Sequence, residues 1–229
     1  ASFDRGLGAH IGRSDVAEVP FYDDSFSKPN RRDSFRKWIE TEAKKLGEEQ
    51  TLVVDGSTDL EVAFDMQESL EPVLTGQGKV DDFAFWRHKV EYFSELHAIF
   101  KSLKCNIVYI MHESEKPDKS GIYTGKIRPL FTGQFANKVV GSYTDWFRQH
   151  AANKPTTDEQ ITKAMVAFGY KDRKEFQAEL DKFPRQTMYY WQTESDDICD
   201  CKASSLVNFP RYIFATYQHL SKYFRKPTV

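Results

Sequence analysis

This sequence lacks the features that mark secreted and membrane proteins. Its 229 residues contain three cysteines, an odd number that suits free thiols in a reducing cytoplasm better than a disulfide framework. No apolar run approaches the roughly 20 residues of a membrane span, and the first residues do not form a signal peptide. With a formal net charge of −2, any contact with nucleic acid requires a local basic patch. We therefore expect a cytoplasmic protein without membrane attachment.

The sequence also lacks the glycine-rich loop with which many nucleotide hydrolases hold phosphate groups. No segment from Ala1 to Val229 matches G-x-x-x-x-G-K-[ST], a motif whose backbone amides surround the phosphates. The nearest segment, 121–127, is one residue short and ends at Ile127, where a hydroxyl is needed to bind Mg²⁺. We interpret this segment as part of a polar loop.

Two short apolar runs have the composition of strands, and each ends at residues capable of chemistry. Residues 51–54 are followed by Asp55, and residues 105–111 are followed by His112 and Glu113. In an open α/β sheet, ligands bind in the crevice beyond the carboxyl ends of the strands. The sequence therefore predicts that these three side chains share one site.

Helical patterns alternate with these strands, which favours an α/β fold with a mostly parallel sheet flanked by helices. Residues 112–134 are polar and contain several Pro and Gly residues, as in long functional loops. We expect a single domain over 1–229, with a helical insertion at 156–185. Further patterns predict helices at 33–46, 59–71, 82–104 and 210–224, and strands near 139–148 and 187–193.

The order of these motifs resembles that of phage-encoded RecA-like ATPases of recombination and single-strand annealing. The resemblance rests on residues 55–58, 111–113, 125–138 and 143–148, and it covers most of the chain outside the insertion. It implies a RecA-like fold, ATP and Mg²⁺ as cofactors, single-stranded DNA as a partner and a homo-oligomer. The chain departs from the family in lacking the P-loop, which is expected before Ala1, and in having Ala203 and Ser204 where the family has Asp-Arg.

The resemblance also implies roles for individual residues around the nucleotide. Asp55 corresponds to the Walker B acid that holds Mg²⁺, and His112 corresponds to the residue that senses the γ-phosphate. Glu113 is a candidate general base, and Asp4 a candidate for activating the attacking water.

Basic residues complete the set of candidates. Lys126 and Arg128 are expected to contact phosphates of single-stranded DNA or the nucleotide of a neighbouring subunit, and Lys202 corresponds to the lysine after the last core strand. Phe131 and Phe135 fit base stacking, although aromatic residues beside a strand also fit a hydrophobic core.

Other interpretations of the same residues remain open. Asp55 also fits a helix cap, and His112 with Glu113 also fits a polar link between a strand and a loop. The whole chain fits a degenerate RecA-like module that lacks a P-loop and has a binding or assembly role. Asp200 and Lys202 beside a predicted strand also fit a Mg²⁺-dependent nuclease.

Overall fold

The computed structural model describes residues 1–3, 14–22, 28–117, 120, 122–130, 139, 143–197, 199 and 201–224. The chain divides into two compact units, Ala1–Ser114 with Pro129–Lys138, and Glu115–Arg128 with Val139–Val229. Helices and strands occur together, which confirms a mixed α/β chain in general terms. A single RecA-like domain with an insertion stays a prediction.

Among its described residues, the first unit has a pair of parallel strands, three α-helices and a 3-10 helix at Ala43–Lys45. Strands β1 (Thr51–Val54) and β2 (Asn106–Tyr109) pair in parallel, with Val54 opposite Tyr109. The helices are α1 (Arg31–Thr41), α2 (Ser57–Leu70) and α3 (Asp82–Ser102), so each lies within a few residues of its predicted position. Beside β1, Ser2 forms parallel bridges to both Asp55 and Pro20.

The core of this unit lies on one face of the β1–β2 pair. Leu52 and Val54 point inward while Thr51 and Val53 are exposed, which is the alternation expected for a strand covered on one face. The helices contribute aromatic and aliphatic side chains at helical spacing, so their apolar faces pack together. Buried members of this core include Phe35, Ile39, Leu60, Phe64, Phe93, Leu96 and Phe100.

A two-stranded ribbon occupies much of the segment for which the sequence predicts an irregular loop. Strands β3 (Glu113–Pro117) and β4 (Tyr123–Pro129) pair with each other. The loop prediction is therefore wrong over these residues. Sequence patterns identify a strand by alternating apolar residues. This ribbon can form without that alternation because backbone hydrogen bonds hold its two strands together.

The second unit is built on an antiparallel sheet. Strand β7 (Thr187–Gln192) lies between β6 (Arg148–Asn153) and β9 (Tyr212–Phe214), and it pairs antiparallel with both. Two short strands, β5 (Asp145–Trp146) and β8 (Lys202–Ala203), also pair antiparallel. The predicted mostly parallel sheet is therefore wrong for this unit.

The helices of this unit are α4 (Asp158–Ala167), α5 (Arg173–Asp181) and the short α6 (Tyr217–Leu220). The first two fall inside the predicted helical insertion and begin at side-chain caps, Thr157 and Asp172. The predicted terminal helix over 210–224 is wrong at its start, where β9 pairs with β7, and it is confirmed only over α6 and the 3-10 helix Ser221–Tyr223 that follows. Among the described residues, no helix is both long enough and apolar enough to span a bilayer.

The core of the second unit is rich in aromatic residues. The rings of Phe168 and Phe214 stack with their centroids 4.6 Å apart, and Phe176 lies 5.9 Å from Phe214. Such contacts add to the free energy that apolar burial provides. The other buried members of this cluster are Ile161, Leu180 and Met188.

Candidate functional site at the carboxyl ends of β1 and β2

Backbone hydrogen bonds join the ends of both parallel strands to the start of α2. The Ile110 N–H donates to the Val54 carbonyl at 2.9 Å, and the Ser57 N–H donates to the Ile110 carbonyl at 3.1 Å. Gly56 makes the turn between β1 and α2 with a φ of 78°, a conformation that favours glycine because it has no Cβ. This geometry fixes where the residues after each strand lie.

Asp55 is half-buried at the end of β1. Its N–H donates to the Ala1 carbonyl at 2.9 Å, and its carbonyl accepts from the Phe3 N–H at 3.1 Å. The N-cap position of α2 belongs to Gly56, not to Asp55. The position of the Asp55 backbone is therefore set by strand pairing at the carboxyl end of β1, the end at which ligands bind in open α/β sheets.

His112 and Glu113 are exposed, and they follow β2 at the same end of the strand pair. The His112 N–H donates to Thr58 Oγ1 at 3.3 Å, and the His112 carbonyl accepts from the Leu130 N–H at 2.8 Å. His112 thus connects the first turn of α2 to the residue that follows β4. The structure brings Asp55, His112 and Glu113 to one end of the strand pair.

Thr58 is a residue of this site whose contact is not evident from the sequence. On sequence alone it fits a turn, since it follows Asp55 and Gly56. In the structure it belongs to the first turn of α2, and its hydroxyl accepts the His112 N–H. In the sequence, the only indication of a role for Thr58 is that a hydroxyl residue follows shortly after a predicted strand and a glycine. That its hydroxyl contacts His112 follows only from the pairing of β1 with β2.

Polar side chains are buried between α2 and α3 in the same unit. Lys89 Nζ lies 2.9 Å from Glu61 Oε1 and 2.7 Å from Asp65 Oδ1. The side chains of Lys89 and Glu61 are only 5% and 7% exposed, so each charge depends on the other for compensation. This ion pair ties α2, which begins at the candidate site, to α3.

Tyr109 and His97 extend this polar region towards β2. Burial raises the pKa of Tyr109 well above its usual range. Burial, together with the nearby charge of Lys101, lowers the pKa of His97 to about 4. His97 is therefore neutral near pH 7, and its ring packs edge-on against Tyr109 with centroids 5.2 Å apart.

Lys202 contacts backbone within the second unit. Its Nζ donates to the Tyr143 carbonyl at 2.8 Å, just before the pairing of β5 with β8. This contact gives the ammonium group a structural partner. Its predicted role beside a nucleotide stays a prediction.

The remaining candidates cannot be placed by their side chains. Lys126 and Arg128 belong to β4, but their side chains lie outside the described part of the structure. Asp4 lies outside the described residues altogether. The same holds for the two proposed stacking residues, Phe131 and Phe135, and for Asp200.

Three side chains capable of chemistry follow the two strand ends, namely the half-buried carboxylate of Asp55, the exposed imidazole of His112 and the exposed carboxylate of Glu113. Asp55 can supply an oxygen ligand to Mg²⁺, directly or through water, while His112 and Glu113 can exchange protons. Within the described ranges, no three or more His, Cys, Asp or Glu residues group together as a ready metal site. The role of Asp55 as a metal ligand stays a prediction.

Comparison with known proteins adds no further constraint on this site. No protein-family model, curated protein or solved structure matches the chain. The case for a function therefore depends on the residues and their geometry.

Proposed function

We propose that this chain forms the acid and sensor side of a RecA-like nucleotide site and couples ATP to the binding of single-stranded DNA. The observation that carries this proposal is the position of His112. It follows β2 at the end where Asp55 follows β1, its N–H contacts Thr58, and its carbonyl receives the Leu130 N–H. His112 directly precedes the first residue of β3 and hydrogen-bonds to the residue after β4. A displacement of His112 would therefore also displace both of these positions.

In this proposal Asp55 is the residue that holds Mg²⁺. Its half-buried position at a strand end suits a carboxylate that binds the ion while remaining accessible. When bound, Mg²⁺ neutralises charge on the β- and γ-phosphate oxygens. His112 hydrogen-bonds to the γ-phosphate, and Glu113 orients the attacking water.

The ribbon of β3 and β4 then links nucleotide state to DNA. It begins at Glu113 and ends one residue before Leu130, so both of its ends meet His112. Its sequence includes Lys126 and Arg128, and such basic residues bind the phosphates of single-stranded DNA. Because the 229 residues contain no P-loop, the phosphate-binding loop must come from a segment before Ala1 or from a neighbouring subunit of an oligomer.

The test is ATP hydrolysis and ATP-dependent single-strand binding by the product of the complete reading frame. We expect Asp55→Asn to lower kcat by about 10²-fold or more, as removal of one group that stabilises transition-state charge does elsewhere. Asp82→Asn is the matched control, because Asp82 is an exposed acid in the first turn of α3. That variant should retain normal hydrolysis.

Three outcomes would oppose the proposal. Unchanged hydrolysis in Asp55→Asn removes Asp55 from the mechanism. No heat of Mg-ATP binding in calorimetry, even for the complete product, supports the alternative of a P-loop-less module with a binding or assembly role. Mg²⁺-dependent DNA cleavage that disappears in Lys202→Ala supports the nuclease instead.

A further inference from the structure

The three-stranded sheet of the second unit packs one of its two faces against helices. In an antiparallel pair, residues directly opposite each other lie on the same face, and successive residues of a strand alternate between faces. Met188 and Tyr190 of β7 pack with the aromatic cluster that includes Phe214. The residues that alternate with them, Tyr189 and Trp191, therefore belong to the opposite face of the sheet.

The register of the strands defines this opposite face. Ala151 of β6 lies opposite Tyr189, and Gln149 lies opposite Trp191. Tyr189 is 45% exposed, Gln149 and Ala151 are also exposed, and Trp191 is half-buried. Ile213 of β9 lies opposite Trp191 and is buried, so the accessible part of the face extends over β6 and β7. We call the residues of these two strands on this side the open face, namely Gln149, Ala151, Asn153, Thr187, Tyr189 and Trp191.

Two aromatic side chains occupy the middle of the open face. Tyr189 and Trp191 are two residues apart on the same strand, which separates their Cα atoms by about 7 Å. The Trp191 ring stacks on the ring of Phe147 with centroids 6.2 Å apart and an angle of 24° between the planes. The neighbour of Tyr189 on β6 is Ala151, whose single methyl group covers little of the tyrosine ring. The sheet therefore holds two rings at a fixed spacing, and one of them is well exposed.

The polar side chains of the open face suit nucleic-acid bases. Gln149 and Asn153 have amide groups that both donate and accept hydrogen bonds, as the edges of bases do. None of the residues of the open face has a carboxylate, so none of them repels a phosphate group.

A basic residue lies at one end of the open face. The Lys154 N–H donates to the Gln186 carbonyl at 2.7 Å, so the pairing of the two segments continues one residue past Thr187. Arg185 comes next along the chain and is exposed. Its guanidinium group is therefore available to a phosphate at this end of the sheet.

We propose that the open face of the second unit is a stacking site for single-stranded DNA. Bases stack on Tyr189 and Trp191. The amides of Gln149 and Asn153 hydrogen-bond to base edges, and Arg185 contacts a phosphate. Aromatic residues on the exposed face of a sheet bind two or three unpaired bases in this way. The inference rests on the proposed function for the class of its partner, but this site requires neither ATP nor the ribbon of β3 and β4.

The first test measures how tightly the full chain binds a fluorescently labelled oligothymidylate in the absence of nucleotide. Tyr189→Thr keeps a residue that favours strands but removes the ring, so fluorescence anisotropy should show a Kd about 5- to 150-fold higher, as expected when one base no longer stacks. Tyr189→Phe keeps the ring and should bind like the wild type. Phe83→Ala is the matched control, because Phe83 is 77% exposed but lies on α3 of the first unit, and its Kd should be unchanged.

Two further measurements locate the contacts. Arg185→Gln should weaken binding to all sequences alike and reduce the slope of log Kd against log salt by about 0.7, because one phosphate contact is lost. An oligonucleotide that contains bromodeoxyuridine, irradiated on the wild-type chain, should cross-link to Tyr189 or Trp191, as mass spectrometry of the digested complex can show. The cross-link needs no variant to fold, and circular dichroism checks that Tyr189→Thr does.

Four results would overturn the proposal. Tyr189→Thr may bind as tightly as the wild type, or duplex DNA may bind as tightly as the single strand although its bases are already paired and stacked. The cross-links may lie only outside the open face. In sedimentation, Tyr189→Thr may abolish a wild-type dimer while DNA binding stays unchanged, which assigns the face to a second copy of the chain.

ATP hydrolysis by the product of the complete reading frame separates this inference from the proposed function. Tyr189→Thr should retain the hydrolysis that Asp55→Asn loses, because the open face takes no part in the chemistry of ATP. Loss of nucleotide-free DNA binding in Tyr189→Thr with no effect of Asp55→Asn on hydrolysis supports the open face and contradicts the proposed nucleotide site. The converse pair of results contradicts the open face alone.

Discussion

The two units of this protein have interiors of different kinds. The first has parallel strands and buries charged and titratable groups, including Lys89, Glu61 and His97. The second has an antiparallel sheet and also packs aromatic rings, such as those of Phe168 and Phe214, while its buried imidazole, His219, pairs with the partly buried Glu179. Buried ionic groups require compensating partners at fixed positions, whereas apolar groups require only volume and shape.

This difference bears on where chemistry can occur. The polar interior of the first unit lies between α2 and α3, and α2 begins at the strand ends that carry Asp55. Residues at a functional site are best held by neighbours whose own positions are fixed. The interior of the second unit packs aromatic rings and provides stability.

Removing an aromatic ring from the second unit should have the largest effect on stability. Phe214 is 1% exposed, so Phe214→Ala leaves a cavity and should lower the free energy of unfolding of that unit by about 3–5 kcal/mol. Val166→Ala on α4 is the control, because Val166 is 77% exposed and should change stability by less than about 0.5 kcal/mol. Hydrogen exchange of β6 and β7 amides in the full chain measures both. Equal protection in the two variants would show that the ring cluster does not stabilise this unit.

Breaking the buried ion pair should have the next largest effect, this time in the first unit. Lys89→Met leaves Glu61 without its cationic partner and should cost about 3 kcal/mol, at the low end of the range because Asp65 is 44% exposed. Arg87→Met, also on α3, breaks only the exposed pair with Glu91 and should cost less than about 1 kcal/mol.

A second substitution separates the charge from the packing of Lys89. Adding Glu61→Gln to Lys89→Met removes the uncompensated carboxylate, so part of the lost stability should return. Urea unfolding of the single and double variants gives this coupling free energy. A double variant as unstable as the sum of its parts would assign the effect of Lys89 to packing alone.

The sequence predicts the first unit better than the second, for a physical reason. The helices α2 and α3 carry long periodic patterns, and the strands β1 and β2 are short apolar runs, so local composition identifies them. Parallel pairing then follows from the alternation of helix and strand. The common position of Asp55, His112 and Glu113 was therefore predictable.

The second unit depends on pairings that local patterns do not reveal. Residues 212–214 follow Pro210, a common helix start, yet they form β9 because β7 provides an edge on which to pair. Residues 113–117 lack apolar alternation and still form β3. The turn at Ser195 and Asp196 likewise depends on hydrogen bonds from the backbone of Cys199 and Cys201, which only the folded chain brings into place.

The smallest effect that we predict concerns the pH dependence of the first unit. The unfolded pKa of His97 is near 6.5 and the folded pKa is about 4, so the unfolded state binds a proton more readily between these values. Stability should therefore fall as pH decreases through this window, by about 2 kcal/mol from about pH 7.5 to about pH 5. His97→Phe keeps a ring beside Tyr109 but cannot be protonated, so urea unfolding of this variant should lose that part of the pH dependence. If wild type and variant lose the same stability over this range, His97 is not a buried neutral group of the first unit.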